Sequence, residues 1–517
     1  MTTSPARATR REWLGLAVLM LPTLLIVMDL TVLHLAVPHL SAALKPTSAQ
    51  LLWIVDIYGF LIAGSLITMG TLGDRIGRRK LLLIGAAAFG VASVLAAFSP
   101  TASLLIVSRA LLGIAGATLM PSTLALISTM FRDPAQRSVA IGIWISGFSA
   151  GSAIGPLIGG ALLQYFWWGS VFLLGVPVML LLLLLGPIVL PEYKDPKAGR
   201  LDLPSAGLSL TAVLSVIYGV KQIAQGGSSA IALLTIAVGL IMAVVFVRRQ
   251  GSLADPLVDL RLFRVPAFSA SLTIYTLGVF VSFGAFLFIA QYLQLVIGLS
   301  PLQAGLWSVP GALMSIVGAN VAPIIARRVK PAYVVALGLA LASLGFGLTA
   351  TAGVASLIPV VIGWTIISLG FGLTFTVSTD LVVGSAPQER AGAASALSET
   401  GAELGGAMGI AVLGSLGAAI YRGQVAGALP AGISPDAAAA ALDTLGGAVA
   451  LAERLGGANG AALLAAARAA FTQGLQLNAT IATVVMAGLA VLAVALLRDV
   501  SAHAAHGAIA EVEAVTG

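Results

Sequence analysis

Gly70-Thr71-Leu72-Gly73-Asp74-Arg75-Ile76-Gly77-Arg78-Arg79-Lys80 is the stretch on which the reading of this chain turns. It stands between two long apolar runs, so it is a short loop joining two membrane-crossing segments. Glycines let such a loop turn tightly, and a cluster of arginine and lysine marks the positive face of a membrane protein. A generic basic loop has no need of the acid. Asp74 can pair with an arginine or cap the N-terminus of a neighbouring helix, and either contact holds one conformation. Gly70, Asp74, Arg75, Gly77 and Arg78 are therefore candidate gating residues.

The flanking runs are typical of the whole chain. Of its 517 residues 59% are hydrophobic and 9% charged, against roughly 25% charged in soluble domains. Mean hydropathy is +1.04. The pattern predicts an all-α membrane protein with fourteen spanners, near 13–37, 50–71, 80–98, 102–130, 138–164, 168–190, 204–222, 229–247, 267–297, 301–326, 331–352, 355–384, 390–420 and 473–497. Charge tests this map independently of hydropathy. On it, 21 of the 27 lysines and arginines fall on one face, which puts both termini in the cytoplasm; the expected location is the plasma (inner) membrane. The net charge of +7 thus reports orientation and not a nucleic-acid partner. The first spanner is too long for a signal-peptide core and contains Asp29, so it reads as retained.

Other classes are excluded by what is missing. The chain has no cysteine, and His34, His39, His503 and His506 form no cluster, so no disulfide framework, metal site or cofactor is expected. No phosphate-binding loop of the G-x-x-x-x-G-K-[ST] type occurs, and no nucleophile–base constellation is visible, so neither a built-in ATPase nor an enzyme is expected. The stretch 422–472 is Ala-rich, starts a helix at Ser434-Pro435 and breaks at Gly456-Gly457; it reads as a helical hairpin on the outer face.

Ionised groups inside spanners cost about 2.5–3.5 kcal/mol each on insertion scales, so every one needs a reason. Asp29 and Arg109 lie at similar depth in the first and fourth spanners. Asp29 either simply neutralises Arg109 or exchanges protons in a cavity of alternating access. Asp56, in Trp53-Ile54-Val55-Asp56-Ile57-Tyr58, is either an interfacial anchor or a recruiter of cations. Glu399 and Glu403 are four residues apart on one helical face, about 6 Å from each other. Two carboxylates so placed repel, which points to a shared proton or a bound cation. Asp380 reads as a salt-bridge partner near the inner end of the twelfth spanner, and His34 as a packing or interfacial residue.

The 70–80 loop resembles the signature loop of the major facilitator superfamily, and three further stretches extend the resemblance. Met28-Asp29-Leu30-Thr31-Val32 through Ala36-Val37-Pro38 looks like the first-spanner motif of that superfamily's fourteen-spanner drug:proton antiporters. Ser108-Arg109 with Gly113 and Gly116 is similar to the fourth-spanner arginine motif, and Gly147, Gly151, Gly155-Pro156 and Gly159-Gly160 resemble the antiporter ridge of the fifth. Taken alone, such a ridge indicates close helix packing. Nearest is a likeness to quaternary-ammonium efflux pumps, through the 53–58 stretch, 113–121 and the acidic thirteenth spanner.

The resemblance implies the major facilitator fold. Its two six-helix bundles would be 1–190 and 261–517, with two inserted spanning helices at 191–260. By the same likeness Asp29, Arg109 and Glu403 couple protons, while Glu399, Glu403 and Asp56 bind substrate. Gly151, Gly155, Pro156 and Gly159 join the signature loop in gating. Four carboxylates against one arginine leave an acidic interior that prefers cations. The function implied is a proton-coupled antiporter, functional as a monomer, that exports lipophilic and mainly cationic drugs and antiseptics. A narrow-specificity exporter and a proton-coupled uptake symporter share the fold and are the alternatives.

Overall fold

The computed structural model describes residues 7–46, 48–194, 202–224, 228–253, 256–430 and 433–499. Among the described residues, 14 helices are long and apolar enough to cross a membrane, and the chain is a multi-pass membrane protein. In order these are α1 (Arg10–Leu44), α2 (Ser48–Ile76), α3 (Arg78–Ala97), α4 (Ala102–Met130), α5 (Pro134–Tyr165) and α6 (Ser170–Val189, with a turn at Leu174). Next come α7 (Leu203–Ala224), α8 (Ser229–Ser252), α9 (Pro266–Gln291), α10 (Pro301–Ala326), α11 (Pro331–Ala350), α12 (Leu357–Gly384) and α13 (Ala391–Val425). Two short helices, α14 (Pro435–Asp443) and α15 (Leu445–Leu455), precede the last spanning helix, α16 (Gly457–Leu497).

Local chemistry sets the helix starts. Thr101 and Asp133 accept backbone N–H bonds as caps of α4 and α5, and Ser300 with Gln303 closes a capping box on α10. Proline occupies the first turn of α5, α9, α10 and α11, where its missing N–H costs nothing. Gly77, at φ 114, makes the sharp turn from α2 into α3 that the 70–80 loop requires.

Buried side chains of α1 to α6, among them Leu19, Tyr58, Phe89, Leu119, Trp144 and Phe172, form one apolar core. A second core joins α9, α11, α12 and α16 through Val281, Val335, Phe346, Phe371 and Met486. Helices α7 and α8 pack on each other, and α7 also lies between α2 and α13, where Val213 and Ile217 meet Phe60, Ala63, Leu404 and Ala407. The outer side of α8 exposes Leu233, Leu240 and Val244, a surface suited to lipid. Across the middle, α2 packs on α13 and α5 on α10. Both contacts are close: a Cβ on Gly70 would lie 2.5 Å from the Gly392 carbonyl oxygen, and Gly142 abuts the Ala319 carbonyl.

Both described chain ends lie on one face, here the terminal face. The Ala8 amide donates to Gln136 at the start of α5, and Lys330 donates to the Arg498 carbonyl, on the side that carries the 70–80 turn.

The outer segment departs from the expected two-armed hairpin. Ser434 caps α14 and the chain turns at Gly456 and Gly457, both at positive φ, as the residue types suggest. Thr444, however, breaks the first arm into two helices, being extended itself and accepting from the Gly447 amide as cap of α15. The second arm is the start of α16, which runs 41 residues without interruption because nothing between Gly457 and Leu497 stops a helix. This cap is packed, not loose: Leu445, Leu451 and Leu463 are buried with Tyr292, Val360 and Tyr421, and the Tyr421 hydroxyl donates to the Ala441 carbonyl.

Candidate functional site

Arg109 is wholly buried on α4, and the chain supplies it with partners on three helices. Its Nη1 donates to Asp29 Oδ2 of α1 at 2.5 Å, and its Nε donates to the Ile54 carbonyl of α2 at 3.1 Å. The Tyr58 ring lies 4.4 Å from the guanidinium carbon and the Phe172 ring of α6 at 5.9 Å, so cation–π contacts replace water on two sides. Arginine suits this place because its planar fork spreads charge over several donors. Among the described residues its Nη2 and the Tyr58 hydroxyl have no hydrogen-bond partner, so the pair keeps unused bonding capacity.

The fifth-spanner ridge packs on the turn of α1 that carries Asp29. Gly151 faces the Leu24 carbonyl and Val27, Gly155 faces Thr31 and the Met28 backbone, and Gly159 faces Val32. Small residues there let α1 and α5 approach closely. The side chains of Pro156 and His34 lie outside the described residues, as do His503 and His506. On its other side Asp29 borders a small cavity lined by Met28, Phe89, Val171, Phe172 and Gly175, between α1, α3 and α6.

On α13 Glu399 is buried, and its Oε1 has no hydrogen-bond partner among the described residues. Glu403, one turn further on, is partly buried. Glu399 and Glu403 lie one turn apart on the same face of α13. Asp56 is partly buried on α2. Its spacing to Phe60 and Ala63 turns it away from Arg109 and toward the side on which α7 and α13 pack. Asp29 and Arg109 therefore meet directly, and Asp56 faces a different surface of α2.

At the terminal face Asp74 makes both kinds of contact its chemistry allows. Its Oδ1 accepts from Arg78 Nε at 2.8 Å and from the Gly392 amide at 3.1 Å, while Oδ2 accepts from the Ala393 amide at 3.0 Å. It thus pairs within its own loop and caps α13 across the molecule. Arg78, also buried, donates to the Ala125 carbonyl and to Thr129 of α4. The Arg75 side chain is partly buried at the end of α2. A second crossing joins Arg137 of α5 to Asp380 of α12 at 2.8 Å. Between α5 and α10, Asn320 donates to Ser146 and Ser149 to Ser315. These bonds close the terminal face between the two apolar cores.

Sequence reasoning missed three participants. Glu192 accepts from the amides of Arg79 and Lys80 and so caps α3, but lies more than a hundred residues away in the chain. Tyr58 carries no sequence signal for its role: it stands two residues from Asp56, on the opposite face of α2, and only packing brings it to Arg109. Arg137 was counted only toward orientation, and its pairing with Asp380 depends on tertiary structure.

Comparison with known proteins agrees with this architecture. The model of the Major Facilitator Superfamily matches residues 19–410. The chain is 46% identical over 506 residues to the multidrug efflux pump LfrA of Mycolicibacterium smegmatis, covering 96% of this chain and 99% of that protein. It is 36% identical to the methyl viologen resistance protein SmvA of Salmonella typhimurium, covering 89% and 93%. Among solved structures, the human organic anion transporter MFSD10 superposes with a TM-score of 0.60 at 18% identity, covering 92% of this chain and 99% of that one. A bacterial homologue of the lysosomal transporter Spinster, in an inward-facing state, gives 0.59 at 19%, covering 94% and 98%.

Proposed function

Since this chain belongs to the Major Facilitator Superfamily, we propose that it exports lipophilic, mainly cationic drugs and antiseptics across the plasma membrane in exchange for inward protons. It is a multidrug efflux transporter and not an enzyme; its relatives include a multidrug efflux pump and a protein of methyl viologen resistance. Methyl viologen is a dication, which fits membrane-spanning helices that carry the acids Asp29, Asp56, Glu399 and Glu403 against the single arginine Arg109. The terminal face is taken as cytoplasmic, from the excess of lysine and arginine there. Residues 1–190 and 261–517 would move as two six-helix bundles, with 191–260 inserted between them and one chain sufficient for transport.

The single observation that carries the proton part of this reading is the buried Asp29–Arg109 pair. A buried ion pair is a poor way to stabilise a fold, since desolvation offsets most of the attraction. It is well suited to a switch, because protonation of Asp29 removes one of its two charges. Arg109 remains held by the Ile54 carbonyl and the Tyr58 ring, so the partner set free is α1. Helix α1 packs on the α5 ridge, and α5 carries the Ser146–Asn320 and Ser149–Ser315 crossings to α10. Loading a proton on Asp29 thereby bears on the closure of the terminal face. Gly70, Asp74, Gly77 and Arg78 would latch that face shut, while Glu399 and Glu403, with Asp56 nearer the opposite face, would neutralise the drug's charge.

Uptake of a panel of cationic dyes into proteoliposomes under an imposed pH gradient tests the proposal. Gradient-driven movement of several unrelated dyes is the expected result. Transport of a single compound would favour the narrow-specificity exporter, and movement of dye in the same direction as protons would overturn antiport.

A further inference from the structure

The chain that leaves the inserted helices α7 and α8 runs as a strap, residues 256–259, against both α2 and α13 at the terminal face. The inserted pair behind it is rigid. A Cβ on Gly219 of α7 would lie 2.7 Å from the Ala232 carbonyl oxygen of α8, and one on Gly239 of α8 would lie 2.9 Å from the Ala212 carbonyl oxygen of α7, so the two backbones touch. Their ends at the terminal face are bonded as well. Arg249 donates to Asp202 through Nε at 2.8 Å and Nη2 at 3.0 Å, Ser205 donates to Asp202 at 2.6 Å, and the buried Gln250 donates to Ser205 at 2.8 Å.

Gln250 also holds the strap. Its Oε1 accepts from the Leu257 amide at 2.7 Å and from the Val258 amide at 3.3 Å, so one buried side chain fixes helix and strap together. From there the strap reaches both bundles. The Leu257 carbonyl accepts from Thr71 of α2 at 3.1 Å, and the Pro256 carbonyl accepts from Arg390, the residue before α13, at 3.3 Å. Leu257 and Val258 are buried with Ile67 of α2 and Phe246 of α8, and Leu397 of α13 packs on the same cluster. Thr71 stands one turn before Asp74, and Arg390 just precedes the amides that Asp74 caps, so the strap spans the same two helix ends as the Asp74 contact.

The two sides of the strap differ in how they release. The single proton of the Thr71 hydroxyl is shared between the Leu257 carbonyl and the Ile67 carbonyl of its own helix, 2.9 Å away. When the strap withdraws, Thr71 falls back on Ile67 and no buried donor is stranded. The Leu257 and Val258 amides, by contrast, depend on Gln250. Beyond Asp259 the chain enters the turn Leu260–Arg264 and then α9, where Leu262 and Val265 are buried with Phe268, Val382 and Ala394. Buried bonds thus tie the strap to the inserted pair and a buried apolar joint ties it to the second bundle, while one replaceable bond and an apolar contact hold it to α2.

We infer that the inserted pair travels with the second bundle, and that its strap braces α2 to hold the terminal face shut, letting go at Thr71–Leu257. The inference rests on the proposed motion of two bundles. It gives α7 and α8 a function: they add a second fastening to the Asp74 contact that parts without stranding a polar group.

The test uses the full chain in proteoliposomes, where the lack of native cysteine lets paired thiols be joined by a short bis-maleimide whose linker a reductant cleaves. Dye transport is read before joining, after joining and after cleavage. Ile67→Cys with Leu257→Cys ties the strap to α2 and is expected to lower transport about tenfold or more, reversibly. Val258→Cys with Leu397→Cys ties it to α13 and should leave transport within about twofold. Ser149→Cys with Ser315→Cys joins α5 to α10 directly and should also arrest transport, as the control for bundle motion. Thr71→Val keeps the shape and removes the bond, so labelling of Ala319→Cys, buried against Gly142, should accelerate about threefold. Arrest by the α13 tie, with or without arrest by the α2 tie, would overturn the assignment of the pair to the second bundle. Transport through the α2 tie while the control arrests would overturn the brace and leave the two-bundle motion standing. Transport in the control as well would remove that motion and the inference with it. An unchanged labelling rate in Thr71→Val would refute its part as the point of release.

Discussion

Asp74→Asn isolates the latch from the fold. The amide keeps the shape of the side chain and one acceptor oxygen, but it loses the charge and presents a donor where the Ala393 or Gly392 amide needs an acceptor. Loss of the Arg78 partner is common to all conformations, because both residues belong to the same loop, so it cancels from the conformational equilibrium. What does not cancel is the bond to α13, which exists only while the terminal face is shut. A hydrogen bond to a charged group is worth about 1.5–3 kcal/mol, and water satisfies the helix amides once they separate, so the net loss is taken near 2 kcal/mol. That shifts the balance toward an open terminal face by about 30-fold. The chain has no cysteine of its own, which makes the assay clean. Ala319→Cys places a thiol at a position that is 0% exposed and packed against Gly142 between α5 and α10. Its labelling by a polar maleimide should accelerate by about that factor in the Asp74→Asn background. A rate within about twofold of the parent, in protein that remains monodisperse, would refute the argument that Asp74 holds the face closed.

Four other outcomes follow from the geometry. Asp29→Asn should leave the protein folded and inserted but abolish gradient-driven export, because the amide cannot take up and release a proton; active dye accumulation by inside-out vesicles of this variant would reject the coupling role. Arg109→Ala should inactivate transport and Arg109→Lys retain part of it at best, since lysine cannot serve Asp29 and the Ile54 carbonyl with one planar fork; vesicle transport measured at matched expression decides. Glu399→Gln or Glu403→Gln should weaken export of dicationic antiseptics more than of monocationic dyes, and equal losses for both classes would sink charge sharing. Outside the membrane, Arg249 and Ser205 hydrogen-bond Asp202 and hold its carboxyl below the ordinary range. The group is depressed on folding, so its contribution is present above about pH 4 and fades as pH falls through the lowered value; the melting-temperature difference between the parent and Asp202→Asn should be constant from neutral pH down to that point and then vanish.

Hydropathy alone was enough to read the number and order of the spanning helices, because a backbone in lipid must satisfy its own hydrogen bonds and therefore stays helical for the full crossing. The cost of burying charge likewise singles out Asp29, Arg109 and Glu399 from the sequence, and all three lie inside spanning helices. Where the reading stopped, the cause was distance along the chain or silence in the composition. Asp74 was legible as a cap, but its client could have been any helix; that it is α13, more than three hundred residues on, is a fact of packing. The uninterrupted start of α16 was not legible, since an alanine-rich helix looks the same in water, against protein or at an interface. Thr444 as a helix break was missed because threonine is tolerated in helices and becomes a cap only when its neighbours turn the chain.

The two crossings at the terminal face also differ in what separation leaves behind. When α13 withdraws, Asp74 keeps Arg78, so no naked charge is created and the amides it releases are free to meet water. Withdrawal of α12 from α5 instead parts Asp380 from Arg137, and two opposite charges must each find new company. On the proposed gating, the first contact would part without baring a charge, whereas the second would separate a charge pair at a cost set by how much water reaches it. Salt should therefore ease the parting of Arg137 from Asp380 and barely touch that of Asp74 from α13, so the ionic strength at the terminal face would act on one contact and not the other.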